Sequence, residues 1–470
     1  MSGNGRTTPP VIGEAFLTQL GQDSPRSVEP AICHIRTELQ DTFATCFQSS
    51  KGFRSFPPGW SEIKSQTPPL PHLLTCHKDM KYTLDYSILD YNDDSPEDMC
   101  NCTKLIKQDP EEMERVKILS ITRSFRAKTR TTDTQFTEWA RNCEHFRVRR
   151  KYFPFPLSQE EAEFPIAYSI VVHHKIQTLE RLLRAIYAPQ NIYCLHVDKK
   201  APASFLSAVL RLTSCFDNVF IASRLENVVY GSWSRVQADL NCMRDLYDRS
   251  SAWKYFLNLC GQDFPLKTNL EIVSKLKALR GKNSLETEKA PGSKLVRWRK
   301  RHEVVDGAIW RTGQDKAPPP IETPVFTGGA YIVVSRGFVQ FVLEDPRAAR
   351  LIEWAKDGYS PDEFLWATIQ RMPGVPGSIP INNRYDVTDV NSLSRLVKWQ
   401  YFEGVESKGA MYPPCSGQHV RAICVYGAGD LGWMLQKPQL FANKFDTDSD
   451  PFVVRCLEKH LRSKALKEIA

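Results

Sequence analysis

The chain lacks a long apolar run near its start: between Met1 and Leu70 the longest scrap is Ala15-Phe16-Leu17, too short for a signal peptide or membrane anchor. Its cysteines do not form the paired Cys-x-x-Cys knuckles of a zinc module, and no internal repeat is visible. No strong charge of one sign is present either. Lys and Arg exceed Asp and Glu by 62 to 54, too little to choose among nucleic acid, anionic lipid and a phosphorylated small molecule. Asn-x-Ser/Thr occurs once, at Asn101-Cys102-Thr103.

What is there is 470 residues, enough for two or three domains and a large buried core, with thirteen cysteines spread through ordinary folded sequence. Cys194, Cys215, Cys242 and Cys260 fall at the ends of strand-like or helix-like segments. Such spread fits long-range disulfides in an oxidising compartment, and the odd count implies at least one thiol that is free or bonded to another chain. The cysteines and the sequon lean secretory, and the start does not. Either the chain is soluble and non-secreted, or its first exon differs from that of an anchored relative; the cysteines favour the second reading.

Residues 1–95 are rich in Pro, Ser, Thr and Gly, with several Pro-Pro pairs and no periodicity, and are expected to be disordered. Residues 96–163 are short, charged and helical, a stem or accessory segment ending in the basic run Arg147 to Lys151. From Phe164 the organisation changes. Buried strands at Pro165 to Val172, Ile192 to Val197, Val219 to Ala222 and Tyr255 to Asn258 alternate with helices at Leu179 to Tyr187, Phe205 to Leu212, Val236 to Leu246 and Leu270 to Leu279. Strict alternation predicts an α/β domain over 164–470, with a mostly parallel sheet flanked by helices. Ligands of such sheets bind at the carboxyl ends of the strands, which puts His173, His174, Asp198 and Asp263 at the rim of a cleft. Residues 281–325 lose the alternation, and Ala330 to Val334 resumes it as a strand.

Ser360-Pro361-Asp362-Glu363 heads the apolar run Phe364 to Ile369. One reading is a capping box, with Ser360 as N-cap, Pro361 at the first helical position and Glu363 reaching back to the Ser360 amide. The other is a catalytic base, because the positive end of a helix dipole favours an ionised carboxylate ready to accept a proton. Local pattern favours the cap.

Gly427-Ala428-Gly429-Asp430-Leu431-Gly432 matches the dinucleotide fingerprint, but Pro438 interrupts and no β-rich run follows, so a glycine turn packed near the active site is expected instead. His173-His174 has no third ligand at metal spacing and reads as a pair lining a pocket. The stretch Lys294 to Arg301 suggests a nucleic-acid patch, but Trp298 inside it and Glu303 after it suit an exposed helix or a sugar-binding wall. Cys415 and Cys424 are close enough to close a small loop at Pro413-Pro414-Cys415-Ser416-Gly417.

Six runs carry a resemblance: Glu163 to Tyr168, Val171-Val172-His173-His174-Lys175, Ala188 to Cys194, Tyr230-Gly231-Ser232-Trp233 through Cys242, Tyr359 to Glu363, and Gly427 to Leu431. Together, over about residues 98 to 468, the chain resembles the core 2 β-1,6-N-acetylglucosaminyltransferases of mucin-type O-glycan branching, glycosyltransferase family 14. The resemblance implies a GT-A type fold and an inverting transfer of N-acetylglucosamine from UDP-N-acetylglucosamine to the 6-hydroxyl of N-acetylgalactosamine in Galβ1-3GalNAc on Ser or Thr. Sister branching specificities (core 4 or I-branching) and a non-catalytic glycan-binding protein on the same scaffold stay open as alternatives.

The family works without a metal or other cofactor. The chain agrees in that its second strand ends His196-Val197-Asp198-Lys199-Lys200, with no Asp-x-Asp. The triplets Asp446-Thr447-Asp448 and Asp448-Ser449-Asp450 are expected to follow no strand and not to fill that role. By residue-by-residue match the resemblance makes Glu363 the general base and Arg421 and Lys444 the diphosphate-binding cations. It assigns Val171, His173 and Asp198 to the nucleotide rim, and Glu286, Lys294, Arg297, Trp399 and Tyr401 to the acceptor. It also implies disulfides joining Cys102 to Cys456, Cys143 to Cys215, Cys194 to Cys242 and Cys415 to Cys424, a thiol at Cys260 near the donor, and glycosylation at Asn101. Cys33, Cys46, Cys76 and Cys100 fall outside the pattern. Implied partners are UDP-N-acetylglucosamine and mucin-type O-glycan acceptors, no nucleic acid, with room for a homodimer. The implied location is the Golgi lumen as a type II membrane protein, which Met1 to about Leu89, resembling neither tail nor anchor, contradicts.

Overall fold

The computed structural model describes residues 99–122, 131–378 and 392–469, all within one compact unit, Tyr82–Ala470. The expected disordered region up to residue 95, with Cys33, Cys46 and Cys76, lies outside the described residues. Among the described residues no helix is long and apolar enough to cross a membrane.

In chain order the strands are β1 (Ile166–Val172), β2 (Ile192–Val197), β3 (Val219–Ile221), β4 (Tyr255–Cys260), β5 (Asp263–Pro265), β6 (Glu288–Lys289) and β7 (Lys300–Val305). There follow β8 (Ala308–Asp315), β9 (Phe326–Thr327), β10 (Val333–Ser335), β11 (Arg395–Val397), β12 (Gln418–Val420), β13 (Ile423–Val425) and β14 (Phe441–Asn443). The central sheet has the order β10-β4-β1-β2-β3, in which β1 to β4 run parallel and only β10 is antiparallel. The α/β, mostly parallel architecture expected from alternation is therefore present, and its one reversed strand is the late segment after residue 330.

Parallel strands are covered on both faces, so their side chains divide by parity between two cores. Ile166, Tyr168, Ile170 and Val172 of β1 and Tyr193, Leu195 and Val197 of β2 enter one apolar cluster. Ala167 and Cys194 enter the other. The helix Ile176–Ile186 buries Ile176, Leu179, Leu182, Leu183 and Ile186 at helical spacing against the first face. The helix Trp233–Arg249 covers the second, and the Cys194–Cys242 disulfide ties it to β2. Cys194 thus lies inside a strand and Cys242 inside a helix, not at segment ends as expected; only Cys260 ends a strand and Cys215 follows a helix.

The described residues among 99–163 share this core. Leu105, Val116, Phe136, Phe146 and Tyr152 are buried in the first cluster, and Cys102–Cys456 and Cys143–Cys215 bolt the segment to the last helix, Pro451–Ile469, and to the end of Ala203–Thr213. Cys415–Cys424 closes the fourth bridge, so the observed pairs are those the resemblance implied. Cys100 Sγ lies 3.7 Å from Cys102 Sγ and 3.6 Å from Cys456 Sγ. Asn101 is exposed, and its Oδ1 caps the helix Cys102–Ile106 by accepting from the Lys104 amide at 3.1 Å.

A second sheet, β11-β14-β5, crosses the carboxyl end of β4. Asp263 joins these elements: its carboxylate accepts from the Cys260 amide (2.7 Å), Arg395 (2.9 Å) and Asn443 (2.8 Å). Asp263 is fully buried in these bonds. Strand-end arithmetic placed it on the cleft rim, and the structure corrects this, because its three partners arrive from β4, β11 and β14.

Candidate active site

The donor candidates Val171, His173 and Asp198 lie at or just beyond the ends of β1 and β2. The Asp198 amide, just past β2, donates to the Val172 carbonyl of β1 at 2.9 Å, and the Asp198 carboxylate accepts from the amides of Lys200 (2.9 Å) and Val228 (3.3 Å). Val171 pairs across to His196 and Cys260, so it sits between the ends of β2 and β4. His173 stacks on His174 with centroids 4.0 Å apart. Burial lowers the pKa of both rings, against the pull of the Asp198 charge on His173. Both residues keep an exposed face to solvent, and no third ligand lies beside them among the described residues.

Two cations, Arg421 and Lys444, lie within each other's field, and Lys444 also feels Cys260 at the end of β4. Arg421 and Ala422 make the two-residue turn between β12 and β13, both with positive φ (53° and 61°). That is the twist a tight hairpin demands, usually met by Asn or Gly, and a β-carbon there is strained. The Cys415–Cys424 bridge spans the hairpin base, and the Gln400 amide donates to the Ala422 carbonyl at 2.9 Å. Lys444 follows β14, half-buried. Burial is the main cause that lowers its ammonium pKa; Arg421 and Arg395 add to this, and Cys260 and Asp263 oppose it. Among the described residues neither Arg421 nor Lys444 has a carboxylate at salt-bridge distance, although each lies within the other's field. Cys260 sits beside this pair, its thiol pushed up by burial and then by Asp263, with the Asn443 amide 3.5 Å from its sulfur.

The base candidate is joined to this end by an aromatic ring. The Arg421 guanidinium lies over Tyr230, 4.3 Å from the ring centroid, and the Tyr230 hydroxyl feels Glu363, Tyr359 and Asp362. Ser360 holds the expected N-cap position, with Pro361 first in the turn, but it makes no capping bond. It adopts φ 46°, its side chain caps nothing, and its amide donates to the Gly231 carbonyl at 2.7 Å. Pro361–Glu363 is a 3-10 turn, and the helix proper, Leu365–Ile369, begins beyond it. The capping box is therefore replaced by a tertiary bond to the Tyr230-Gly231-Ser232 loop, which frees the Glu363 carboxylate to pair with Arg297. The dipole argument lapses too, since the helix following Glu363 spans only five residues.

Of the acceptor candidates, Arg297 and Glu286 lie by the Glu363 turn. The Gly328 amide donates to the Glu363 carbonyl at 2.9 Å, and a β-carbon at 328 would stand 1.9 Å from the Glu286 carbonyl oxygen. Glycine there brings the Glu286 strand against the Glu363 turn. Lys294 Nζ lies 3.9 Å from Glu288, and the Arg297 carbonyl accepts from the Tyr359 amide at 2.8 Å. Trp399 and Tyr401 stack with centroids 5.8 Å apart beside the Arg421 turn.

A model of the core-2/I-branching enzyme family matches residues 166–435, which include every donor and acceptor candidate above except Lys444. The chain belongs to the core-2/I-branching enzyme family. A human β-1,3-galactosyl-O-glycosyl-glycoprotein β-1,6-N-acetylglucosaminyltransferase is 59% identical over 80% of this chain and 88% of its own length. A Bos taurus protein of the same name is 55% identical over 84% and 92%, and one from Bovine herpesvirus 4 is 58% identical over 71% and 76%.

Sequence reading of this branching enzyme missed a buried polar chain behind Glu363. Asp239, on the helix Trp233–Arg249, accepts from Ser169 of β1 (3.2 Å), Asn258 of β4 (3.0 Å) and Arg235 (2.6 Å). Arg235 in turn feels Asp362, whose Oδ1 is buried without a partner among the described residues. Burial, reinforced by the Glu363 charge, pushes the Asp362 carboxyl up to about 7. The folded state then binds more protons than the unfolded chain between the ordinary Asp range and that value, so stability falls as pH rises through this window. Thermal melts should show wild type losing stability relative to Asp362→Asn between about pH 4 and pH 7, with no further divergence above. Parallel pH profiles would refute the protonated carboxyl.

Three further sequence expectations change. Gly429 packs on Ser416 and Met113, and Gly432 on the Ile106 carbonyl, so the glycine turn rests on the stem helices. Its Asp430 forms a buried pair with Lys398 at 2.6 Å. Asp446 and Asp448 do follow a strand, β14, but both carboxylates pair with Lys175. The basic stretch Lys294 to Arg301 is helical for only one turn, Val296–Arg299, in which Trp298 is buried and not exposed, and it leads into β7.

Proposed function

We propose that this branching enzyme transfers N-acetylglucosamine from UDP-N-acetylglucosamine to the 6-hydroxyl of the N-acetylgalactosamine in Galβ1-3GalNAc on Ser or Thr, with inversion. The relatives' printed name supports the β-1,6 linkage and the β-1,3-galactosyl-O-glycosyl acceptor class. The observation that carries the chemistry is the pairing of a part-exposed Glu363 carboxylate with two carboxylate-free cations, Arg421 and Lys444, across the Tyr230 ring.

In this reading the acceptor hydroxyl gives its proton to Glu363 as its oxygen attacks the anomeric carbon opposite the leaving group. The bond from that carbon to the diphosphate oxygen breaks, its electron pair stays on UDP, and Arg421 and Lys444 neutralise the charge that develops there. Arg297 holds the Glu363 carboxylate in place. Trp399 and Tyr401 offer stacked apolar faces to a sugar, while Glu286 and Lys294 offer an acceptor and a donor for hydroxyls. Val171, His173 and Asp198 line the nucleotide end. We assign the enzyme to the Golgi lumen, where nucleotide sugars and disulfides coexist.

Initial rates on Galβ1-3GalNAc, GlcNAcβ1-3GalNAc and lactosamine oligomers test this. The first acceptor is expected to be used best; better transfer to the second or third would replace core 2 with core 4 or I-branching.

A further inference from the structure

Beyond Arg297 the chain builds a feature that the transfer reaction leaves unused. β7 and β8 form a two-stranded ribbon, closed at its tip by Asp306 and Gly307, both with positive φ (51° and 75°). Along it Glu303 faces Trp310, Val304 faces Ile309 and Val305 faces Ala308. Trp310 is 60% exposed, Val304 48% and Val305 44%, an unusual concentration of apolar surface on a projecting hairpin. β8 is eight residues long and bonds to β7, with no third strand along its outer edge among the described residues. Long bare edges are normally blunted by charge, proline or a covering loop, because they invite another strand.

The foot of the ribbon is continuous with the acceptor end of the site. The His302 amide donates to the Asp357 carbonyl at 2.8 Å, and the His302 ring lies 5.6 Å from that of Tyr359. Arg297, which pairs with Glu363, sits 5.8 Å over the same Tyr359 ring. The ribbon foot is thus two ring contacts from Glu363, close enough for a polypeptide carrying a glycan held there to reach it.

We propose that the β7–β8 ribbon docks the polypeptide that carries the acceptor glycan, in extended form along the β8 edge, with its side chains against Trp310 and Val305. This rests on the glycoprotein-acceptor reading above. Backbone bonds to an open edge are indifferent to sequence, which suits an enzyme meeting many polypeptides, and the apolar side chains add affinity.

The test is steady-state kinetics of the full chain on Galβ1-3GalNAc carried by a short aglycone and by a glycopeptide long enough to cover β8. Wild type should have a KM about ten-fold lower for the glycopeptide, and Trp310→Ser with Val305→Ser should remove most of that advantage while leaving the short acceptor's kcat and KM unchanged. If the double variant folds poorly, Trp310→Ser alone serves the same comparison. An unchanged KM ratio, or equal loss on both acceptors, overturns the proposal. So does a wild-type dimer that the variant splits without altering the ratio, which would make the ribbon an interface with a second copy. Transfer to neither acceptor by wild type would instead sink the acceptor reading itself, and the ribbon proposal with it.

Discussion

Glu363→Gln should keep the fold and lose about two to four powers of ten in kcat, the range a positioned general base contributes. The amide has nearly the shape of the carboxylate, and the turn around it is held by backbone bonds from Ser360 to Gly231 and from Gly328 to residue 363, which the change leaves intact. What it removes is the proton acceptor and the charge facing Arg297. Asp362 is the rival carboxyl, one residue away, but it is raised by burial and its Oδ1 has no access to solvent. Full activity of Glu363→Gln at saturating donor and acceptor, with unchanged melting, would move the base to another group.

Arg421→Ala and Lys444→Met should each lower kcat by about two to three powers of ten, as loss of one fixed donor to a developing anion does elsewhere. The donor's KM should rise less, because the leaving diphosphate carries more charge in the transition state than in the bound substrate. Neither variant strips a carboxylate of its partner, so the fold should melt normally. Saturating EDTA should leave the wild-type rate nearly unchanged if, as proposed, two side chains supply the neutralisation. Activity lost to EDTA and restored by manganese would refute the cation pair. So would a variant at either position with wild-type kcat.

Strand and helix alternation from residue 164 was legible because β1, β2 and β4 are buried on both faces, which demands unbroken β-branched and apolar runs such as Ile166–Val172. The site was less so. Ser360-Pro361-Asp362-Glu363 has every mark of a cap, and it failed because the Ser360 amide found the Gly231 carbonyl, a partner that no local window contains. Asp263 was placed at the rim by the same arithmetic that served Asp198. Arg395 and Asn443, from strands far along the chain, then buried it. The β7–β8 hairpin is different: Asp306-Gly307 between Glu303-Val304-Val305 and Ala308-Ile309-Trp310 is a local turn signal that follows directly on a run of arginines.

Residue order alone specified the parallel sheet and, through ordered motifs, the family, because hydrophobic period and motif order are properties of the chain. How the Glu363 carboxylate is held was decided by folding. The amides, cations and aromatic rings that orient Glu363 come from Arg297, Gly231, Gly328 and Tyr230, distant in sequence, and hydrogen bonds and charges act only across the few ångströms that tertiary packing creates.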